Sequence, residues 1–209
     1  MVDIEEIKKR LCELYGLSWF TSEQLNKLAR YLTFASVCQP LLLNYSGHMA
    51  CFLTAPASAG HHLAVKGGLA VHSMNVTDRL LQLTGDLKIA WSNSGSPYVI
   101  GMCHDLCKMH AYDFKADGRE IMKLRPVFPG HGTLSAMLAP EFLGHPITYV
   151  EQVCIVYHMG AWRAGEEYGV CHLDAAVSEF PLEVVATHTA DMLASQYDER
   201  IGNVERRHG

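Results

Sequence analysis

The sequence has no apolar run long enough to cross a bilayer. Its longest, such as "VCIVY" at 153–157, fall far short of the roughly 20 residues that a spanning helix needs. The N-terminus lacks the apolar stretch of a secretory signal, because "MVDIEEIKKR" sets acids before bases and has no hydrophobic core. Together these absences predict a cytoplasmic protein without membrane attachment. Positive charge is also in short supply: 17 Lys and Arg stand against 22 Asp and Glu, for a formal net charge of −5. That balance argues against an extended nucleic-acid surface, which needs basic excess, and leaves room only for a compact phosphate pocket. The 7 cysteines (12, 38, 51, 103, 107, 154 and 171) are odd in number and follow no disulfide framework. In a reducing compartment they read as small buried hydrophobes. Cys103 and Cys107 have no second pair with which to complete a zinc ribbon. Internal repeats, low-complexity segments and runs of alternating strands with hairpin turns are all missing.

What remains is a chain of 209 residues, 49% apolar, enough for one well-buried core, and its periodicity is helical. Ile4, Ile7, Leu11 and Leu14 mark a first helix, and "TSEQ" at 21–24 caps a second along Leu25, Leu28 and Leu32. "GGL" at 67–69 opens a helix to about Gly85, after which "SNSGSP" at 92–97 is a polar loop leading into the helix that carries "GMCHDLCKMH" at 101–110. "KADGRE" at 115–120 is a turn, and "RPVFPG" at 125–130 is an extended lead-in to a helix near His131. Another helix spans about 147–159, and Pro181 starts the last long one. The expected fold class is all-α, with residues 1–54 as a small helical extension and 55–209 as the main domain.

Histidine is the unusual component, with 12 copies. His72 falls in the gap of the stripe Leu69, Val76, Leu80 and Leu83, so it faces the core. His158 is the next position on the stripe Ile147, Val150 and Cys154, while Val184, His188 and Asp191 share a face of the last helix. His104 and Asp105 sit in an apolar segment with Lys108 close behind. Taken alone, a histidine on an apolar face is usually a hydrogen-bonded core residue, and that reading suits His110 and His188. It fits poorly when it must hold separately for His72, His104, Asp105, His158 and Asp191. Buried imidazoles and carboxylates converging on one place are what a divalent cation resolves, since its charge offsets the desolvation of the carboxylates.

The order of five segments resembles the HD-domain superfamily of metal-dependent phosphohydrolases, and most closely the YhaM-type exoribonuclease HD domain. "PASAGHHLAVKGGLAVHSMNV" at 56–76 is similar to its opening, and "CHDLCKM" at 103–109 to its central His-Asp-x-x-Lys. "PGHGTLSA" at 129–136, "VCIVYHMGAW" at 153–162 and "THTADMLAS" at 187–195 resemble its later segments. The resemblance implies an HD/PDEase-like helical domain in which His72, His104, Asp105 and Asp191 hold one divalent metal. His131 and His158 then add the ligands of a two-metal branch, with Asp105 bridging. Mixed imidazole and carboxylate donors suit Mn, Fe or another first-row ion, with Mg also possible. The Ile-Gly that often follows His-Asp in the family is Leu-Cys here, with Cys107 expected to pack in the core. The OB-fold of YhaM-type enzymes is replaced by helices in residues 1–55.

The implied activity is hydrolysis of a phosphoester in a nucleotide-type substrate, a short oligonucleotide or a cyclic nucleotide, by water activated on two ions. Asp105 and Lys108 would serve the chemistry, with Lys108 donating to a phosphoryl oxygen; an ion pair is its plainer reading. His61, His62, Lys66, Trp162 and Arg163 are candidates for holding substrate, and each also reads as an ordinary helix-end residue. The segment 163–172 has the glycines of a loop over the site. Two alternatives stay open: a single-metal (deoxy)nucleotide phosphohydrolase, and a non-catalytic nucleotide-binding module. A homo-oligomer is compatible with either.

Overall fold

Asp3 accepts a hydrogen bond from the Glu5 N–H and so opens α1 (Ile4–Tyr15), which buries Ile7 and Leu11 and ends at Gly16 in the left-handed region, φ 61°. This is seen in a computed structural model that describes residues 3–114, 121–124, 130–160 and 172–200. The reciprocal bonds between Thr21 and Gln24 form the expected capping box of α2 (Ser22–Phe34). Two short helices follow, α3 (Gln39–Leu43) and α4 (Gly47–Thr54). Then come the long α5 (Gly68–Asp86) and α6 (Ser96–Cys103), followed by a 3₁₀ turn over Leu106–His110. The rest of the described chain holds α7 (His131–Leu143), α8 (Tyr149–Tyr157), α9 (Leu173–Glu179) and α10 (Pro181–Leu193), the last running into a π-turn at Ala194–Asp198. The molecule is mostly helical, and none of the described helices is long and apolar enough to cross a membrane.

α5 lies at the centre, packed against both α6 and α10. Its approach to α6 is so close that a Cβ on Gly101 would sit 2.8 Å from the Thr77 Cα, which is why a residue without a side chain stands there. The apolar core is continuous. Ile7, Leu28, Leu32 and Phe52 from the first 54 residues share it with Leu69, Met74, Leu80, Ile100, Phe142 and Val184. Phe52 and Phe142 meet across it with ring centroids 5.0 Å apart. Each such leucine or phenylalanine contributes about 1.5–3 kcal/mol by leaving water.

Two details depart from the sequence reading. The His-Asp motif does not sit inside a helix. α6 ends at Cys103, His104 caps it, and Asp105 (φ −115°, ψ 20°) turns the chain into the 3₁₀ segment. Neighbouring residues of an α-helix point about 100° apart, so breaking the helix here lets His104 and Asp105 face the same interior. The second departure is a two-stranded antiparallel sheet, β1 (Tyr112–Phe114) with β2 (Ile121–Lys123), in which Asp113 pairs with Met122. Strands of three residues are too short to show a period-two pattern. The expected turn at 115–120 and most of the lead-in at 125–130 lie outside the described residues.

Candidate metal centre

Four elements meet at one point in the core. His72 comes from the middle of α5, His104 and Asp105 from the break after α6, His158 from the C-terminal end of α8, and Asp191 from α10. His72, His104 and His158 are fully buried, and only 14% of the Asp191 side chain is exposed. His72 Nε2 lies 3.2 Å from His104 Nε2, 3.3 Å from Asp191 Oδ1 and 3.5 Å from Asp105 Oδ2. His104 Nε2 is 3.4 Å from the same Asp105 oxygen, while His158 Nε2 is 3.7 Å from the other one, Oδ1.

The outer nitrogens explain this orientation. His104 Nδ1 faces the Gly101 carbonyl at 2.9 Å, and His158 Nδ1 faces the Ile155 carbonyl at 2.7 Å. A carbonyl only accepts, so Nδ1 carries the hydrogen in both rings and the neutral imidazoles turn lone pairs inward at Nε2. His72 Nδ1 is held 2.8 Å from Glu199 Oε1, which fixes the same tautomer. Neutral His72 and His104 therefore point lone pairs at each other, and only a proton or a cation between them relieves that. His158 Nε2 is buried without a hydrogen-bond partner.

Charge carries the same message. Asp105, Asp191 and Glu199 bring three carboxylates into this region, and Lys108, in an ion pair with Asp105 Oδ2, supplies one ammonium. With neutral imidazoles two negative charges stay uncompensated, the deficit one divalent cation fills. Without a cation, burial pulls His72 down, but the Glu199, Asp105 and Asp191 carboxylates hold it well above the ordinary imidazole value. Burial lowers His104, with Asp105 opposing. Asp105 is pushed up by burial, yet Lys108 and His104 hold it well below the usual carboxylate range, and His72 does the same for Asp191. Burial also lowers Lys108, but the Asp105 carboxylate outweighs it and raises the ammonium.

Two groupings of donors follow. In one, ligand atoms of His72, His104 and Asp191 lie within 4.8 Å of one another; in the other, those of Asp105, Cys107 and His131 do. His131 is thus brought to Asp105, but with Cys107 beside it, its Nδ1 3.3 Å from the Cys107 sulfur. Gly132 sets the start of α7 against the end of α8, where an added Cβ would lie 2.7 Å from the Ile155 carbonyl.

The candidates for substrate contact are more scattered. His62 is partly buried, its ring 4.9 Å from that of His72 and its Nε2 4.0 Å from Glu199 Oε2. Burial first, then His72 and Lys108, lower it to about 4, so it is neutral at physiological pH. His61 is exposed, and its backbone N–H donates to Ser58 Oγ. Lys66 lies over the Trp19 ring, 3.7 Å from its centroid, turned toward the α1–α2 connection. Trp162, Arg163 and the segment 163–171 lie outside the described residues. His110 stacks edge-on against His48, and His188 Nδ1 faces the His158 carbonyl at 2.8 Å. A cavity of about 280 Å³ opens beside the 3₁₀ turn, lined by Pro56, Met109, His110, Tyr112 and Phe114 among others.

Sequence reasoning missed Glu199. It is buried, accepts from Asn75 Nδ2 at 3.1 Å as well as from His72, and forms a third donor grouping with His62 and His72. Compared with family models, with curated proteins and with solved structures, the chain gives no match in any of the three.

Proposed function

We propose that this chain is an HD-type metal-dependent phosphohydrolase that cleaves a phosphoester of a nucleotide-type substrate. One observation carries the reading: three buried imidazoles, each tied at Nδ1, turn Nε2 toward the carboxylates of buried Asp105 and partly buried Asp191. The donors fit divalent first-row ions; His72, His104, Asp191 and Asp105 would hold one, and Asp105, His131 and His158 would hold a second. Such ions, when bound, lower the pKa of water toward neutrality and take up charge on phosphoryl oxygens.

The chain's own residues supply the rest. The two Asp105 oxygens face different sides, Oδ2 toward His72, His104 and Lys108 and Oδ1 toward His158, the disposition a bridging carboxylate needs. Lys108, kept charged by Asp105, is the group that stabilises negative charge developing on the phosphoryl oxygens. Carbonyls of Gly101 and Ile155 keep His104 and His158 from rotating, so the site is organised before substrate arrives.

The test is hydrolysis of bis(4-nitrophenyl) phosphate with Mn²⁺, after chelation, and by Asp105→Asn, followed by a panel of nucleotides, cyclic dinucleotides and short RNA with products identified. The expected result is metal-dependent turnover that falls more than about 100-fold in the variant. Full turnover by Asp105→Asn, or none with any metal and substrate, defeats the reading.

The compact His72–His104–Asp191 grouping also favours a second reading, a one-ion nucleotide phosphohydrolase. Binding of a single equivalent of Mn²⁺, with His131→Asn and His158→Asn both as active as the parent, would select it.

A further inference from the structure

We infer that the Cys107 thiolate is itself a metal ligand, joining Asp105 and His131 around the second cation and giving that position a sulfur donor. This rests on reading the cluster as a two-ion centre, and it changes which metals that centre accepts.

The sequence reading placed Cys107 in the core as a small hydrophobe. Cys103 and Cys154 fit that description. Both are fully buried in the apolar cluster, and burial pushes the Cys154 thiol up to about 12 and that of Cys103 further still. Cys107 has different surroundings. Its sulfur is 3.3 Å from His131 Nδ1, and sulfur, imidazole nitrogen and an Asp105 oxygen all lie within 4.8 Å of one another. That span suits three atoms arranged around one ion, whose bonds to sulfur, nitrogen and oxygen are about 2.0–2.3 Å.

The backbone holds the sulfur in place. Cys107 N–H donates to Ser135 Oγ at 3.1 Å, which locks the 3₁₀ turn to α7, the helix whose first residue is His131. The Asp105 carbonyl accepts from Lys108 N–H at 3.0 Å, closing the turn so that Asp105 and Cys107 stay on the side facing α7. A sulfur fixed between an imidazole and a carboxylate is a mixed N/O/S donor set. Coordination releases the thiol proton and removes the cost of a buried thiolate. Such a set selects Zn²⁺, Fe²⁺ or Co²⁺ over Mg²⁺, for which thiolate is a poor partner.

The experiment is titration of the metal-free full-length chain with Co²⁺, followed by electronic absorption, with metal content determined at each step. Two equivalents are expected to bind. Visible ligand-field bands should appear, together with a near-ultraviolet thiolate-to-cobalt charge-transfer band that grows with one equivalent only. Cys107→Ser should abolish that band and weaken one equivalent at least about 10-fold, while the partly exposed Cys12→Ser changes neither. Because a buried substitution can disturb folding, X-ray absorption of the Zn²⁺-loaded parent provides a second measure, with metal–sulfur scattering expected near about 2.3 Å. Two bound equivalents without charge-transfer band or sulfur scattering overturn the thiolate ligand and leave the two-ion reading standing. A charge-transfer band that survives Cys107→Ser also overturns it. Failure to bind Co²⁺ at all overturns both.

Discussion

Glu199 Oε1 sits 2.8 Å from His72 Nδ1, a contact that joins the last described turn of the chain to the middle of α5. It is the only anchor among the three inward imidazoles that carries a charge, since His104 and His158 lean on backbone carbonyls. A carboxylate behind a metal-binding imidazole fixes its tautomer and raises its basicity. Glu199→Ala should therefore weaken Mn²⁺ binding about 10- to 100-fold by calorimetry. Glu199→Gln, which keeps an oxygen for the His72 N–H and for Asn75, should lose much less. Parental affinity in Glu199→Ala would mean that the carboxylate only fills space.

A pH prediction follows from the opposed shifts at the centre. Without metal, His72 is raised above its ordinary value while Asp105 and Asp191 are depressed below theirs. A raised histidine contributes its full stability below about pH 6.5 and loses it as pH climbs through the folded value. Depressed carboxylates contribute above about pH 4 and lose it as pH falls through theirs. The metal-free chain is thus best served between those limits. Metal binding requires His72 to give up its proton, so affinity should rise up to about tenfold per pH unit while His72 remains protonated. The increase in Tm caused by Mn²⁺ should accordingly be larger at about pH 8 than at about pH 6. A flat or falling increment would show that the imidazoles are not ligands.

The sequence exposes some of these groups and hides others for identifiable reasons. His72 was legible because one polar residue interrupts a regular apolar stripe on α5, and His158 because it continues the stripe of α8. Asp105 was legible as chemistry but not as geometry: the apolar residues around it continue a helical pattern, while the backbone leaves the helix at His104. Glu199 gave no such signal, because the π-turn at 194–198 shifts the phase that α10 had set, and a carboxylate near a chain end reads as solvated. Cys107 was masked by chemistry, since a cysteine among apolar residues looks the same from sequence whether it packs or coordinates. The capping boxes at Thr21 and Thr148 are wholly local, and the first was read directly from "TSEQ".

The contact between α5 and α6 gives a prediction about stability. Gly101 lets α6 approach Thr77 so closely that any side chain must push the helices apart. His104 lies one turn further along α6, with its Nδ1 on the Gly101 carbonyl, so that displacement reaches the centre. Gly101→Ala should cost about 1–3 kcal/mol in denaturant unfolding through overpacking, and Mn²⁺ affinity should fall with it. Thr77→Ala in the same background removes the hydroxyl oxygen, the nearest crowding atom, and should recover part of both. Unchanged stability in Gly101→Ala would mean that the two helices do not touch in this way.

Lys108 separates a structural ion pair from a working group, because the two roles predict different combinations of effects. Its ammonium contacts Asp105 Oδ2, and both side chains are nearly buried, with 12% and 4% exposed. Removing one partner of a buried pair leaves the other charge uncompensated, at a cost of about 3–5 kcal/mol. Lys108→Met, similar in length and without charge, should therefore destabilise the metal-free chain by that order in denaturant melts. A divalent cation next to Asp105 would restore the missing compensation, and with no ammonium to repel it, Mn²⁺ should bind Lys108→Met more tightly than the parent. Metal-loaded Lys108→Met should then regain parental stability. A group that serves only as an ion pair leaves turnover intact once metal is bound. If Lys108 meets the phosphoryl oxygens, kcat falls about 10²–10³-fold in a variant that is folded and fully loaded. Steady-state kinetics at saturating Mn²⁺, beside calorimetry on the same preparation, distinguish the two. Parental kcat in the loaded variant would remove Lys108 from the chemistry and leave it as the counter-ion of Asp105.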